Sequence, residues 1–198
     1  MENNILTTLT KEQKNYISIK TVSKNTTLFR EGENCEMISM VVSGEIKISS
    51  YSFEGEELIY NVLKSNEIFG NNLIFSDEPF YKGDVVATKE SVIASIKREN
   101  LLKILQSNKE FLMLYLNIHS NFSKKLNSTI KLLSFNKAEE RFIFYLHENN
   151  NVIQIKSIVA LASILHLQRE TLSRIISKLE KENVIKRSPY QIKLITNR

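Results

Sequence analysis

The chain of 198 residues has a single cysteine, Cys35, and no tryptophan. One thiol excludes an internal disulfide framework, a thiolate zinc site and a four-cysteine iron-sulfur cluster held within one chain. Only 3 histidines occur, His119, His147 and His166, and no two stand at metal-ligand spacing, so no metal site is expected. No stretch reaches about 18 consecutive apolar residues, and the opening MENNILTTLTKEQKN has neither a basic nor an apolar leader segment. The expectation is a cytoplasmic protein with no membrane partner. Glycine is missing after residue 83, although 5 occur before it. What is present is an apolar fraction of 42%, enough to build folded cores and incompatible with disorder as the main state.

The net charge of +5 is unevenly placed. Residues 1–98 carry 11 basic and 14 acidic side chains, residues 99–134 carry 5 and 2, and residues 135–198 carry 11 and 6. An acidic front is therefore joined to a basic back. That polarity points to an anionic partner for the last third, nucleic acid or an acidic membrane surface, and leaves the front for another task.

Glycine divides the chain in the same place. Gly32, Gly44, Gly55, Gly70 and Gly83 punctuate short β-branched or aromatic segments such as MISMVV, EIKISSY and LIYNVL, the rhythm of an all-β sandwich or barrel. Gly44 and Gly55 read as hairpin turns, where a positive φ costs glycine least. From residue 99 the spacing turns helical. Leu112, Tyr115, His119, Phe122, Leu126, Thr129 and Leu133 recur at steps of three and four, a heptad seam, while Phe111, Leu114, Ile118 and Ile130 form a second stripe. One stripe suits the β domain and the other a partner helix; a single helix packed wholly on its own chain needs only one. Asn136 to Glu139 reads as a break with an asparagine cap before the helix AEERFIFYLHENN, and Leu133 to Lys137 as a hinge.

After the polar loop Asn149-Asn150-Asn151, VIQIK reads as a strand. Ile158, Leu161, Ala162 and Leu165 then form the apolar face of one helix, and Leu172, Ile175, Ile176 and Leu179 that of the next, joined by a short turn. Two amphipathic helices so joined make a helix-turn-helix. Gln168, Arg169, Glu170, Thr171, Ser173 and Arg174 give the second helix a polar outer face rich in groups that can read base edges. Glu170 and Arg174, four apart, are equally placed to pair with each other. VIKRSPYQIKLI reads as two strands around a Ser-Pro turn, a wing, whose Lys186, Arg187 and Lys193 suit backbone phosphates.

Three segments carry a family resemblance over nearly the whole chain: TLFREGENCEMISMVVSGEIKI, EIFGNNLIF with the stretch to Val85, and LQRETLSRIISKLEKENVI. In them the sequence resembles the Crp/Fnr family of transcription regulators. The cyclic-AMP-binding members carry Arg-Glu-Thr and then Arg in the recognition helix, matched by Arg169, Glu170, Thr171 and Arg174. The fumarate-nitrate-regulator branch carries Glu and then Ser-Arg, matched by Glu170, Ser173 and Arg174. The resemblance implies an α+β chain that is not an enzyme. It comprises an antiparallel β-roll of the cyclic-nucleotide-binding jelly-roll type over 1–98, a long dimerisation helix over 99–135 and a winged helix-turn-helix over 136–198. It further implies a homodimer on a palindromic operator of double-stranded DNA with GTGA-like half-sites, and RNA polymerase as a partner. His166 stands where relatives usually have glycine, and histidine reaches positive φ more readily than most residues.

The same resemblance bears on the front domain. Cyclic-AMP binders hold the ribose with Gly-Glu and the cyclic phosphate with Arg-Ser; this chain has Gly70-Asn71 and Tyr81-Lys82, and Leu126-Asn127 in place of the Thr-Ser that meets adenine. Lysine replaces a guanidinium fork only as a point charge, and tyrosine does not replace it at all. Cyclic AMP is therefore not the expected effector. Iron-sulfur sensing needs more cysteines, and haem needs an axial ligand, for which His119 is the one candidate; as a seam residue it reads as a packed interface histidine. Cys35, without a neighbouring base or resolving thiol, reads as an ordinary small residue. No cofactor is evident. The expectation is a different small effector, with Asn71, Asn72 and Lys82 as polar anchors and Phe80, Tyr81 and Leu126 as lining. The alternatives are a regulator that binds DNA without ligand and a non-specific nucleic-acid binder. An enzymatic cupin-type roll lacks the histidines its chemistry requires, since residues 1–98 hold none.

Overall fold

The computed structural model describes residues 5–155 and 157–195, and the chain divides into two compact units, Met1–Ser120 and Asn121–Arg198. Among the described residues of the first, two short 3-10 turns, Ile5–Thr8 and Gln13–Tyr16, precede eight strands. These are β1 (Ile17–Val22), β2 (Thr27–Phe29), β3 (Met37–Ser43), β4 (Glu45–Tyr51), β5 (Glu57–Lys64), β6 (Ile68–Phe69), β7 (Asp84–Ala87) and β8 (Ser91–Lys97). They form two four-stranded antiparallel sheets, ordered β1-β8-β3-β6 and β2-β7-β4-β5. Inward side chains such as Ile38, Val41, Ile46, Leu63, Val85, Ile93 and Ile96 make the core. Leu101 and Ile104 of helix α1 (Arg98–Ser107), and Phe111 and Tyr115 of helix α2 (Lys109–Ser134), close it.

The two glycines expected in hairpins differ. Gly55, at φ 81°, turns the paired strands β4 and β5. Gly44, at φ 92°, does not make a hairpin: β3 pairs with β6 and β8, β4 with β5 and β7, and the glycine is the corner at which the chain crosses between sheets. A Cβ on Gly44 would run into the Ser91 hydroxyl and the Glu90 carbonyl. The crossover thus needs glycine twice over, for its dihedral angle and for its space.

One helix was expected over 99–135, whereas α1 and α2 are separate elements joined at Asn108, in extended conformation (φ −125°, ψ 96°). Its carboxamide explains the break. Oδ1 accepts from the Phe111 amide at 3.0 Å, capping α2, while Nδ2 donates to the Thr8 carbonyl and to Oε1 of Gln13, each at 2.9 Å. A second correction concerns Tyr115, placed on the heptad seam from its spacing. It is buried in the core of its own roll, with its phenol donating to the Asn71 carbonyl at 3.4 Å.

The second unit contains α3 (Ala138–Glu148), β9 (Val152–Gln154), α4 (Ile158–Ile164), α5 (Arg169–Lys181), β10 (Ile185–Ser188) and β11 (Gln191–Leu194), with sheet order β10-β11-β9. Phe142, Leu146, Leu161, Leu165, Leu172, Ile176, Ile185 and Ile192 fill its core, together with Leu132 from the end of α2. Ser157 caps α4 by accepting from the Ala160 amide at 3.0 Å. At α3 the capping position is Lys137, which makes no side-chain cap bond, so the asparagine cap expected at Asn136 is not formed. Asn150 and Asn151 take left-handed conformations in the loop before β9, which asparagine tolerates better than most residues. Among the described residues no helix is long and apolar enough to cross a membrane.

Gly44→Ala is expected to destabilise the first unit by at least about 2 kcal/mol, combining backbone strain with a clash that backbone must relieve. Gly32→Ala, at φ 82° with nothing within 4 Å of the added carbon, should cost only about 1 kcal/mol. Urea unfolding of both variants reads the difference.

Candidate DNA-reading surface and effector cassette

The start of α5 is set by the turn before it. Leu165 ends α4 in right-handed conformation, and His166 takes φ 52°, the left-handed geometry that histidine was expected to accept there. The Leu167 amide donates to the Ala162 carbonyl at 2.9 Å, closing the turn before α5 begins at Arg169. Leu172, Ile176 and Leu179 are buried on the inner face of α5. Helical periodicity then sends the other positions out: Gln168, Arg169, Glu170, Thr171, Ser173 and Arg174 are all exposed. Among the described residues neither Glu170 nor Arg174 is in an ion pair, so the pairing their spacing allowed is not made.

The outer face continues along α5 beyond Arg174. Ser173, Arg174, Ser177, Lys178, Lys181 and Glu182 line one shallow groove. Arg174, Lys178 and Lys181 recur at steps of four and three, a signal open to the same periodicity argument. Lys178 differs from its neighbours because its ammonium donates to Glu139 of α3 at 2.6 Å. That hydrogen bond and the charge of Glu139 hold the Lys178 pKa above its ordinary value.

On the wing, β10 and β11 put Lys186 directly opposite Lys193 and Arg187 opposite Ile192. Lys186, Arg187 and Lys193 are exposed, and Tyr190 projects at the tip of the hairpin. Like charges facing each other across a strand pair repel, and no carboxylate among the described residues pairs with either lysine. The arrangement is suited to an anion that lies outside the chain.

Helix α2 carries two apolar faces. Phe111, Leu114, Tyr115 and Ile118 pack on the first unit's core. Leu112 and His119 are half-buried, while Leu116, Phe122, Leu126, Ile130 and Leu133 are exposed, Leu126 at 50% and Ile130 at 58%. The stripe left uncovered therefore runs through 112, 116, 119, 126, 130 and 133, with Ser123 in the gap and Phe122 at its flank. Leu116 and Ile130 replace Tyr115 and Thr129 in the seam read from spacing. His119 lies edge-on to Tyr115, with ring centroids 4.6 Å apart, and its Nε2 is buried with no hydrogen-bond partner among the described residues.

The residues expected to form an effector pocket differ in exposure. Asn71 and Tyr81 are buried, whereas Asn72, Phe80, Lys82 and Leu126 are exposed. Lys82 sits in solvent beside Glu78 at 4.0 Å. Tyr81 is 4% exposed and stacks on Phe29 with ring centroids 4.6 Å apart and planes 14° from parallel. Its hydroxyl lies beside Gly70 and the Cys35 thiol; a Cβ on Gly70 would meet the Met37 carbonyl at 2.8 Å, the Cys35 sulfur at 3.1 Å and that hydroxyl at 3.6 Å. Burial raises the pKa of both the Cys35 thiol and the Tyr81 phenol, so both stay protonated. A buried, protonated thiol is a poor nucleophile.

Residues 19–108 match the family described as cyclic nucleotide-binding domain, and residues 141–197 match the Crp-like helix-turn-helix domain. The chain belongs to the Crp/Fnr family of transcription regulators. It is 25% identical over 175 residues to the anaerobic regulatory protein of Bacillus subtilis, covering 83% of this chain and 74% of that protein. It is 28% identical over 174 residues to the cAMP-activated global transcriptional regulator CRP of Haemophilus influenzae, covering 80% and 75%. The fold resembles that of the Thermus thermophilus catabolite activator protein, with TM-score 0.57 and 20% identity over 97% of this chain and 93% of that one. It also resembles a variant of CooA from Carboxydothermus hydrogenoformans, with TM-score 0.65 and 17% identity over 93% and 86%. A DNA-binding regulator, and not an enzyme, is what these matches support.

In this regulator burial lowers the pKa of His119. A histidine that resists protonation when folded contributes stability above the unfolded pKa of 6.5, and that contribution is lost as pH falls toward the lowered folded value. Between about pH 7.5 and 5.5, above the carboxylate range, the urea midpoint of the wild-type chain should fall more than that of His119→Leu.

Proposed function

We propose that the regulator acts as a homodimer that reads a palindromic operator through α5. The observation that carries this reading is the outer face of that helix, where Arg169, Glu170 and Arg174 stand exposed with no ion pair among the described residues. Arg169 and Arg174 donate to guanine O6 and N7, and the Glu170 carboxylate accepts from a cytosine amino group, giving a GTGA-like half-site. Lys186, Arg187 and Lys193 meet backbone phosphates beside it. The uncovered α2 stripe, with Leu126, Ile130 and Leu133, meets the same stripe of a second copy. Two-fold symmetry then sets the two α5 helices about 34 Å apart, in successive major grooves. The place of action is the cytoplasm, with RNA polymerase as the partner through which bound regulator affects transcription.

The roll, on this proposal, works without cyclic AMP, haem or an iron-sulfur cluster. Tyr81 stands where relatives carry the phosphate-gripping arginine, and its ring packs inward on Phe29. That packing favours DNA binding without a small ligand over the expected pocket of Asn71, Asn72, Phe80, Tyr81, Lys82 and Leu126. Wild-type chain that has been unfolded, dialysed and refolded should bind its operator as tightly as native chain, with or without added cyclic AMP. If a small-molecule extract is needed to restore binding, the roll has an effector after all.

Fluorescence anisotropy at one salt concentration tests the reading of DNA. The wild type should prefer a palindromic duplex to a random one by orders of magnitude. Arg174→Ala should cost about 1–3 kcal/mol on the palindrome and relax one base pair. Equal loss on both duplexes would count against base reading. Leu126→Glu should yield monomers in sedimentation and lose the palindrome preference.

A further inference from the structure

Arg141 of α3 is half-buried, and its guanidinium is held by backbone carbonyls. Nη1 donates to the carbonyl of Leu165 at 3.2 Å and to that of His166 at 3.3 Å, and Nη2 donates to that of Phe135 at 3.1 Å. Nε is buried without a partner, and no carboxylate among the described residues pairs with the group. A partly buried cation with an unsatisfied N–H and no counter-charge carries a desolvation cost. Charge pairing does not offset it here. What the planar fork supplies is geometry, a fixed tie among three carbonyls of two segments.

Those segments matter for α5. Leu165 and His166 make the turn that precedes the recognition helix, and His166 is held at positive φ, a conformation with a local cost that surrounding contacts must sustain. Phe135 follows Ser134, the last residue of α2. We propose that Arg141 is a positioning residue for DNA reading: its fork fastens the exit of α2 to the α4–α5 turn, and so fixes the direction in which Arg169, Glu170 and Arg174 are presented. This rests on the reading of α5 as the element that recognises bases. Lysine at 141 keeps the charge but has one nitrogen on a flexible stem and cannot span the three carbonyls.

The test uses the full chain and the palindromic duplex that the wild type selects from a random pool. Arg141→Lys should bind that duplex about tenfold more weakly, the size of one lost base contact, while its affinity for random duplex and its salt dependence stay unchanged. Its thermal transition should remain cooperative. Hydrogen exchange at the amides of His166 and Leu167 should quicken, while exchange at Phe142 and Leu146 stays slow. Wild-type affinity in Arg141→Lys overturns the proposal. So does parallel loss on both duplexes in Arg141→Gln with a salt slope reduced by about one, the signature of a phosphate contact. Loss of the cooperative transition in Arg141→Lys overturns it as well, making the residue part of the core. If Arg174→Ala leaves selectivity intact, or the wild type selects no duplex, the reading of α5 fails; if Arg174→Ala loses selectivity and Arg141→Lys keeps it, only the tie fails.

Discussion

Burial of Leu172, Ile176 and Leu179 is the constraint on which the outer face of α5 depends. Three apolar side chains one helical turn apart lock the helix in rotation, because turning it would lift them into water at about 1.5–3 kcal/mol each. With that angle set, Arg169, Glu170 and Arg174 have nowhere to point but outward. The turn at His166, the Ser157 cap on α4 and the strands β9, β10 and β11 all serve the same core, so the polar face is held by packing that the polar residues themselves do not provide.

The surface electrostatics follow from that frame. The basic excess after residue 135 is spread over α5 and the wing, and much of it is not internally neutralised. The facing Lys186 and Lys193 show a cost accepted in the free chain, and Lys178 shows the opposite treatment, with Glu139 holding it against α3. Exposed pairs of this kind contribute little to stability and fade with salt. Their larger effect is to decide which cations remain free to meet a polyanion.

Much of this was legible in the sequence because it is local. The segments MISMVVS and EIKISSY coincide with β3 and β4, and the two helices flanking HLQ coincide with α4 and α5. What escaped is what local pattern does not encode. Gly44 has the same neighbours whether the next strand pairs with the last or crosses to another sheet. Tyr115 and Leu116 both fit a spacing of three and four, and only the roll's demand for a plug beside Asn71 assigns the first to the core. Asn108 sits in a stretch of good helix formers, and its capping role depends on Thr8 and Gln13, far away along the chain. The cassette positions could be aligned from sequence, but not the directions of their side chains, with Tyr81 turned in and Lys82 out. Arg141 reaches carbonyls 24, 25 and 6 residues away, which no periodicity reports.

The sealed position of Cys35 has a practical side. The only thiol in the chain lies under the roll, hydrogen-bonded to the carbonyls of Met37 and Gly70 and kept protonated by its surroundings. In its native state the protein is therefore close to a cysteine-free background without any substitution having been made. A cysteine introduced at an exposed site such as Tyr190 on the wing would react with maleimides while Cys35 stays silent. Spin labels and fluorophores can then be attached to one chosen point of the winged helix, and a dye that appears on Cys35 reports that the roll has opened.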